Sequence, residues 1–143
     1  ATLILNNNFT FAMGALTLAN DVRIQGAGRT FLYSSNQPCT IGAQSTLTLE
    51  NNLIFNYNPQ TPSINQLQFA DSTAQLALYG ATLNATQNLQ LTKGTIFIDR
   101  AAQLVGPGTI TFGDGASSAN NATVRILPAA QLIANGNMTI ADK

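Results

Sequence analysis

The triplet Ala74-Gln75-Leu76 returns 28 positions later as Ala102-Gln103-Leu104, and 28 positions after that as Ala130-Gln131-Leu132. The last two copies extend further, so that residues 102–114 lie over residues 130–142 with small, glycine, threonine and aspartate positions in step. Similarity at a fixed spacing of 20 to 50 residues marks a stacked repeat, in which each unit buries its apolar face against the units on either side. No other feature of the sequence narrows the possible folds so far.

The pattern inside each repeat points to strands. Leu16-Thr17-Leu18-Ala19-Asn20-Asp21-Val22-Arg23-Ile24 is apolar alternation of period two, broken once by asparagine, which reads as strand, bend, strand. The same form runs from Leu47 to Phe55, from Leu76 to Asn84, from Leu104 to Phe112 and from Leu132 to Ile140. Aligned, these segments give a core column of Leu16, Leu47, Leu76, Leu104 and Leu132, whose members stand 31, 29, 28 and 28 positions apart. A second inward column holds Ile24, Phe55, Asn84, Phe112 and Ile140. Between them a corner column contains Asn20, Asn51, Gly80, Gly108 and Gly136, the two residue types that best tolerate a left-handed backbone. Prolines and glycines in the intervening stretches rule out helix through most of them. The expected fold is therefore all-β: one single-stranded β-solenoid over residues 1–143, of about five coils of 28–31 residues. A β-sandwich offers no reason for the corner column.

Coils of this length, an L-x-L-x-[N/G]-x-φ-x-φ core and loops of variable size resemble the right-handed parallel β-helix class. That class includes pectate-lyase-like enzymes and bacterial surface proteins such as autotransporter passengers. The likeness is one of architecture over nearly the whole chain and carries no motif of a single family. A right-handed coil is what the resemblance implies, and fold alone does not assign function.

Composition limits the partners. Charged residues are only 8% of the chain, six basic and six acidic, so neither a nucleic acid nor an anionic membrane is an expected partner. No apolar run approaches the length of a membrane span. Cys39 stands alone and reads as a small buried apolar residue, since no histidine or basic cluster is at hand to activate it. Polarity comes instead from Asn, Gln, Ser and Thr, and low charge with abundant Asn and Thr leads us to expect an extracellular or cell-surface protein. The opening Ala1 fits removal of a signal peptide and an excised fragment equally.

Strand-like sequence begins by Thr2 and continues to Ile140 with no amphipathic helix to cap either end. Uncapped terminal coils would leave backbone groups unpaired and core side chains uncovered, a template for another chain. Residues 1–14 and 131–143 read as complementary partial coils, since Leu132 to the Leu16 of a following copy is 27 positions. The expected assembly surface comprises Leu3, Leu5, Phe9 and Phe11 at one end and Leu132, Met138 and Ile140 at the other. The principal partner would then be self, copies stacking head to tail into a filament with a rise of roughly 24 Å per five-coil subunit. The alternative is a segment or passenger of a larger adhesin, binding a receptor or glycan through the loops Ser34–Pro38, Asn56–Asn65 and Gly113–Asn121.

Catalysis receives little support. Asp71 and Asp99 are one repeat apart, as are Asp114 and Asp142, so each pair is expected to stack on neighbouring coils. Paired carboxylates suit glycoside hydrolysis or calcium binding. A polysaccharide lyase or hydrolase of the pectin-cleaving β-helix kind would also need a basic residue aimed at the same groove, and only Arg100, beside Asp99, offers itself. Thr17 with Thr48, and Thr111 with Thr139, suggest short threonine ladders. No phosphate loop, metal-ligand spacing or nucleophile motif occurs, so we expect no cofactor, no metal and no enzyme.

Overall fold

The computed structural model describes residues 1–61, 66–116 and 122–141. Every regular element among them is a short strand. The first rung holds β1 (Thr2–Ile4), β2 (Phe9–Phe11) and β3 (Leu16–Leu18). The second holds β4 (Val22–Gln25), β5 (Thr30–Tyr33) and β6 (Cys39–Ile41), and the third β7 (Thr46–Glu50), β8 (Ile54–Tyr57) and β9 (Leu67–Phe69). The fourth holds β10 (Gln75–Tyr79), β11 (Thr82–Ala85) and β12 (Leu89–Leu91). In the fifth are β13 (Thr95–Ile98), β14 (Ala102–Val105) and β15 (Thr109–Phe112), and in the sixth β16 (Thr123–Ile126), β17 (Leu132–Ala134) and β18 (Asn137–Ile140).

Like strands of successive rungs pair in parallel and build three long faces. Face A runs β1-β4-β7-β10-β13-β16 and face B β2-β5-β8-β11-β14-β17. Face C has two ladders, β3-β6-β9 and β12-β15-β18, which adjoin at β9 and β12. The chain is thus an all-β solenoid of about five turns, counted from β1 to β16.

Alternation explains the packing. In each strand one parity points to the axis and the other outward. The inward column of face A is Val22, Leu47, Leu76, Ile96 and Val124, beside Leu3, Ile24, Leu49, Leu78, Ile98 and Ile126. Face B turns its rings inward in the first three rungs. Phe9, Phe31 and Phe55 follow one another at centroid distances of 5.1 and 5.4 Å. Phe11, Tyr33 and Tyr57 form a parallel ladder at 6.1 Å. Beyond rung three the same column continues through Leu83 and Leu104 to Ala134. The core therefore passes from aromatic to aliphatic along the axis.

The pitch differs from the sequence period. Leu3 pairs with Ile24, Ile24 with Leu49, Leu49 with Leu78, Leu78 with Ile98, and Ile98 with Ile126. Successive advances along the chain, taken from those numbers, are 21, 25, 29, 20 and 28 positions. Only the third and fifth match the expected coil length. As a result the core column does not stand as aligned. Leu47 and Leu76 do pair, but Leu16 lies on face C and Leu104 and Leu132 on face B. Leu132 pairs with Ala102, two residues out of step with Leu104. Asn84 points outward beside Asn56, while Leu83 takes the inward place above Phe55.

The corner column divides in the same way. Asn20, Asn51 and Gly80 have φ values of 61°, 59° and 64°, the left-handed turn expected of them. They serve two different corners, C to A for Asn20 and A to B for the others. Gly108 and Gly136 turn from B to C and are needed for space: a Cβ would stand 2.2 Å from the Gln87 carbonyl oxygen or 2.8 Å from that of Gly106. The terminal segments are each two of a rung's three strands, β1 and β2 within residues 1–14 and β17 and β18 within residues 131–141, so together they exceed the single coil expected of them; residues 142 and 143 lie outside the described residues.

Candidate functional site: open ends and a charged outer face

At each end of the described solenoid three parallel edges have a neighbour on one side only, β1, β2 and β3 below and β16, β17 and β18 above. The inward columns stop there in mid-stack. Leu3 and Phe9 are each 42% exposed, Met138 41% and Ile140 71%. Phe11 and Leu132 are half-buried against the core. Leu5 is buried and its N–H donates to the Gln25 carbonyl oxygen at 2.9 Å, so it closes a corner rather than facing the open end. Ile126, half exposed at the top of the inner face A column, belongs to this surface and was absent from the sequence alignment because β16 falls outside the repeated motif. Strand residues of the first rung carry no charge, and those of the last carry only Arg125.

A second surface lies along the side. Every charged side chain among the described residues sits on face A or in a corner bordering it; the strands of faces B and C, and the corners between them, have none. The aromatic rings sort likewise. All but Tyr79 and Phe97 pack towards the axis, and these two point out from face A. The central outward column of that face is Arg23, Thr48, Ala77, Phe97 and Arg125, with the Arg125 guanidinium 5.7 Å from the Phe97 ring centre. Small residues between large ones leave a depression of about 400 Å³ floored by Thr48 and Ala77. Asp21, Thr46 and Gln75 line one margin and Tyr79 the other. A second depression of about 360 Å³ shares Arg23 and Tyr79 and reaches Gln25, Glu50 and Arg100.

The polar groups here are largely committed to each other. The Gln25 amide donates to Glu50 Oε1 at 2.7 Å, and Arg23 Nη1 lies 3.6 Å from Glu50 Oε2. The Thr46 N–H donates to Asp21 Oδ1 at 3.0 Å, and the Thr46 hydroxyl reaches Gln75 Oε1 at 3.4 Å. The sequence held the signal for this face. Tyr79 and Phe97 follow or interrupt Leu76-x-Leu78 and Ile96-x-Ile98 at the outward parity, where an aromatic ring is not needed for the core.

The remaining candidates do not converge. Asp71 lies in the corner after β9 and Asp99 in the corner after β13, on opposite edges of face A, so the expected stack of carboxylates is absent. Asp71 accepts from the hydroxyl and N–H of Thr73 at 2.6 and 2.8 Å, which holds its carboxyl below the usual range. Asp114 accepts from the Ala116 N–H at 2.8 Å, and Asp142 lies outside the described residues. Among the described residues no three His, Cys, Asp or Glu side chains gather as metal ligands, and no helix is long and apolar enough to cross a membrane. Thr17 pairs with Thr40 rather than Thr48, whereas Thr111 does pair with Thr139. Of the loops, Ser34–Pro38 is braced by the buried Ser35, whose hydroxyl donates to the Gly14 carbonyl oxygen at 2.7 Å. Residues 62–65 and 117–121 of the other two lie outside the described residues.

No protein-family model, curated protein or solved structure matches the chain.

Proposed function

We propose that the chain is a non-catalytic structural protein whose open ends stack on further copies, head to tail, to form an extracellular or cell-surface filament. The observation that carries this reading is the pairing of unfinished ends: three parallel edges at each end that have no partner among the described residues, above and below inward columns left exposed. Continued in step, the faces would set Leu3 on Ile126, Phe9 on Ala134, Leu16 on Met138 and Leu18 on Ile140. The bulkiest side chain at one end thus meets the smallest at the other. Fully burying one such large apolar side chain is worth about 1.5–3 kcal/mol, and main-chain pairing along three edges adds direction. Charge opposes stacking little, because Arg125 is the only ionic side chain on the strands of either end and it points outward. A heterologous contact of this kind that does not close into a ring grows as a fibre.

The right-handed sense implied by the β-helix resemblance is retained here as part of the proposal, on the general preference of parallel crossovers for that hand. Dispersal of the carboxylates supports the non-catalytic reading, and the scarcity of charge the extracellular one.

Negative-stain microscopy and sedimentation test the assembly. The purified chain is expected to form long unbranched fibres with a repeat of roughly 29 Å for six rungs. Ile126→Lys, which sets an ammonium against Leu3 of the next copy, is expected to leave dispersed particles. Single particles of the unsubstituted chain at every concentration, or fibres unaffected by Ile126→Lys, would overturn the proposal.

A further inference from the structure

We infer that face A is a glycan-binding face, and that the depression over Ala77 holds one ring of a neutral saccharide. This reading is independent of the end-to-end stacking, since face A runs along the side of the solenoid and stays open when ends are covered.

The segregation of side chains is the first argument. A solenoid of three equivalent faces has no packing reason to put every charge among the described residues, and both outward rings, on one of them and its borders. The shape is the second. Thr48 and Ala77 point outward yet are only 9% and 4% exposed, so they form a floor beneath taller neighbours, and the volume of about 400 Å³ lies in the range of small-molecule sites.

Chemistry selects the occupant. Phe97 and Tyr79 offer apolar surface with a polar tip on the latter, suited to the C–H face of a pyranose. Across the floor, Asp21 and Gln75 supply acceptors, and the Gln75 amide and Arg23 supply donors, for hydroxyl groups at the ring's edge. The charges cancel locally. Both Glu50 oxygens are engaged, by Gln25 and Arg23, and Asp21 already receives a backbone N–H. A polyanion would face Asp21 and Glu50, and a polycation Arg23 and Arg125. A neutral, hydroxylated ligand meets neither penalty. The adjoining depression, which shares Arg23 and Tyr79, gives the next ring of the same glycan a place, so an oligosaccharide suits the face better than a free sugar.

Affinity electrophoresis in native gels containing mixed-linkage β-glucan, galactomannan, xyloglucan or polygalacturonate, run below the concentration at which sedimentation detects fibres and against a polymer-free gel, tests this. At least one of the three neutral polymers is expected to retard the chain and polygalacturonate to leave it unaffected. Phe97→Ala, which removes the ring, and Ala77→Leu, which fills the depression from its floor, are each expected to raise the apparent dissociation constant at least tenfold with the circular dichroism unchanged. Should Phe97→Ala disturb the fold, Ala77→Leu alone decides. The inference is overturned if none of the three neutral polymers retards the chain, if only polygalacturonate does, or if the correctly folded variants bind like the parent.

Discussion

Tyr33, Tyr57 and Cys39 meet at the inner corner between faces B and C, and all three are closed to solvent. Burial pushes both phenols up to about 12, each further raised by the Cys39 thiol, and burial alone pushes that thiol up to about 12. Groups whose folded values exceed their ordinary 10.0 and 9.0 add stability that is complete below those values and lost as pH rises towards 12. We therefore expect the fold to lose stability steeply between about pH 9 and 12, followed by far-ultraviolet circular dichroism. The Tyr57 hydroxyl accepts from the Gln66 N–H at 3.3 Å. Among the described residues the Tyr33 hydroxyl has no full hydrogen bond, because the nearby Ser35 hydroxyl is committed to Gly14 and Gln37. Tyr33→Phe thus removes an unbonded polar atom and an ionisable group together. Its alkaline midpoint is expected to move upward, with stability at pH 7 equal to or above the parent's. A fall of more than about 1 kcal/mol at pH 7 would show that the hydroxyl has a structural partner after all.

At the scale of the strand, position along the axis decides what a side chain is worth. Leu76 lies fully buried between Leu47 and Ile96, whereas Leu132 is half-buried with only Ala102 beside it in the ladder. Leu76→Ala is expected to cost about 3–4 kcal/mol and Leu132→Ala about 1, measured by urea denaturation. Equal costs would favour the alignment in which the five leucines are equivalent. That alignment shows how much was legible. Strand character and the inward parity of nearly every leucine could be read from alternation, and the stacked winding from the repeat. The rung could not, because all three faces are built as the same strand–corner–strand unit. From β10 to β13 the corners shrink and the rung becomes shorter than the sequence repeat. One repeat therefore overshoots the rung and carries Ala74-Gln75-Leu76 on face A to Ala102-Gln103-Leu104 on face B. A shift by a whole face leaves the L-x-L-x-[N/G] signature intact. Gly108 entered the corner column for the same reason, although close approach to Gln87, rather than a left-handed turn, is what demands glycine there. The face A depression was hidden because it depends on which outward residues neighbour one another between rungs, and that register follows only from the true pitch.

For the molecule as a whole, strand pairing runs only between adjacent rungs, so opening should begin at the ends and progress inward. The two ends are not equal. Phe9 and Phe11 anchor the first rung to the ring ladders below Tyr57, while the last rung ends its face B column on Ala134 and leaves Ile126, Met138 and Ile140 exposed. In dilute solution, amide hydrogen exchange is expected to be fastest in β16, β17 and β18, slower in β1, β2 and β3, and slowest in β7 and β10, which are paired on both sides. Assembly would reverse the order at the margins alone. When the chain is concentrated until fibres form, both terminal rungs should gain protection together, since each supplies the other's missing edge, while β7 and β10 change little. Protection gained at one end without the other would mean that the open ends do not meet, and stacking would then have to be sought through a different contact.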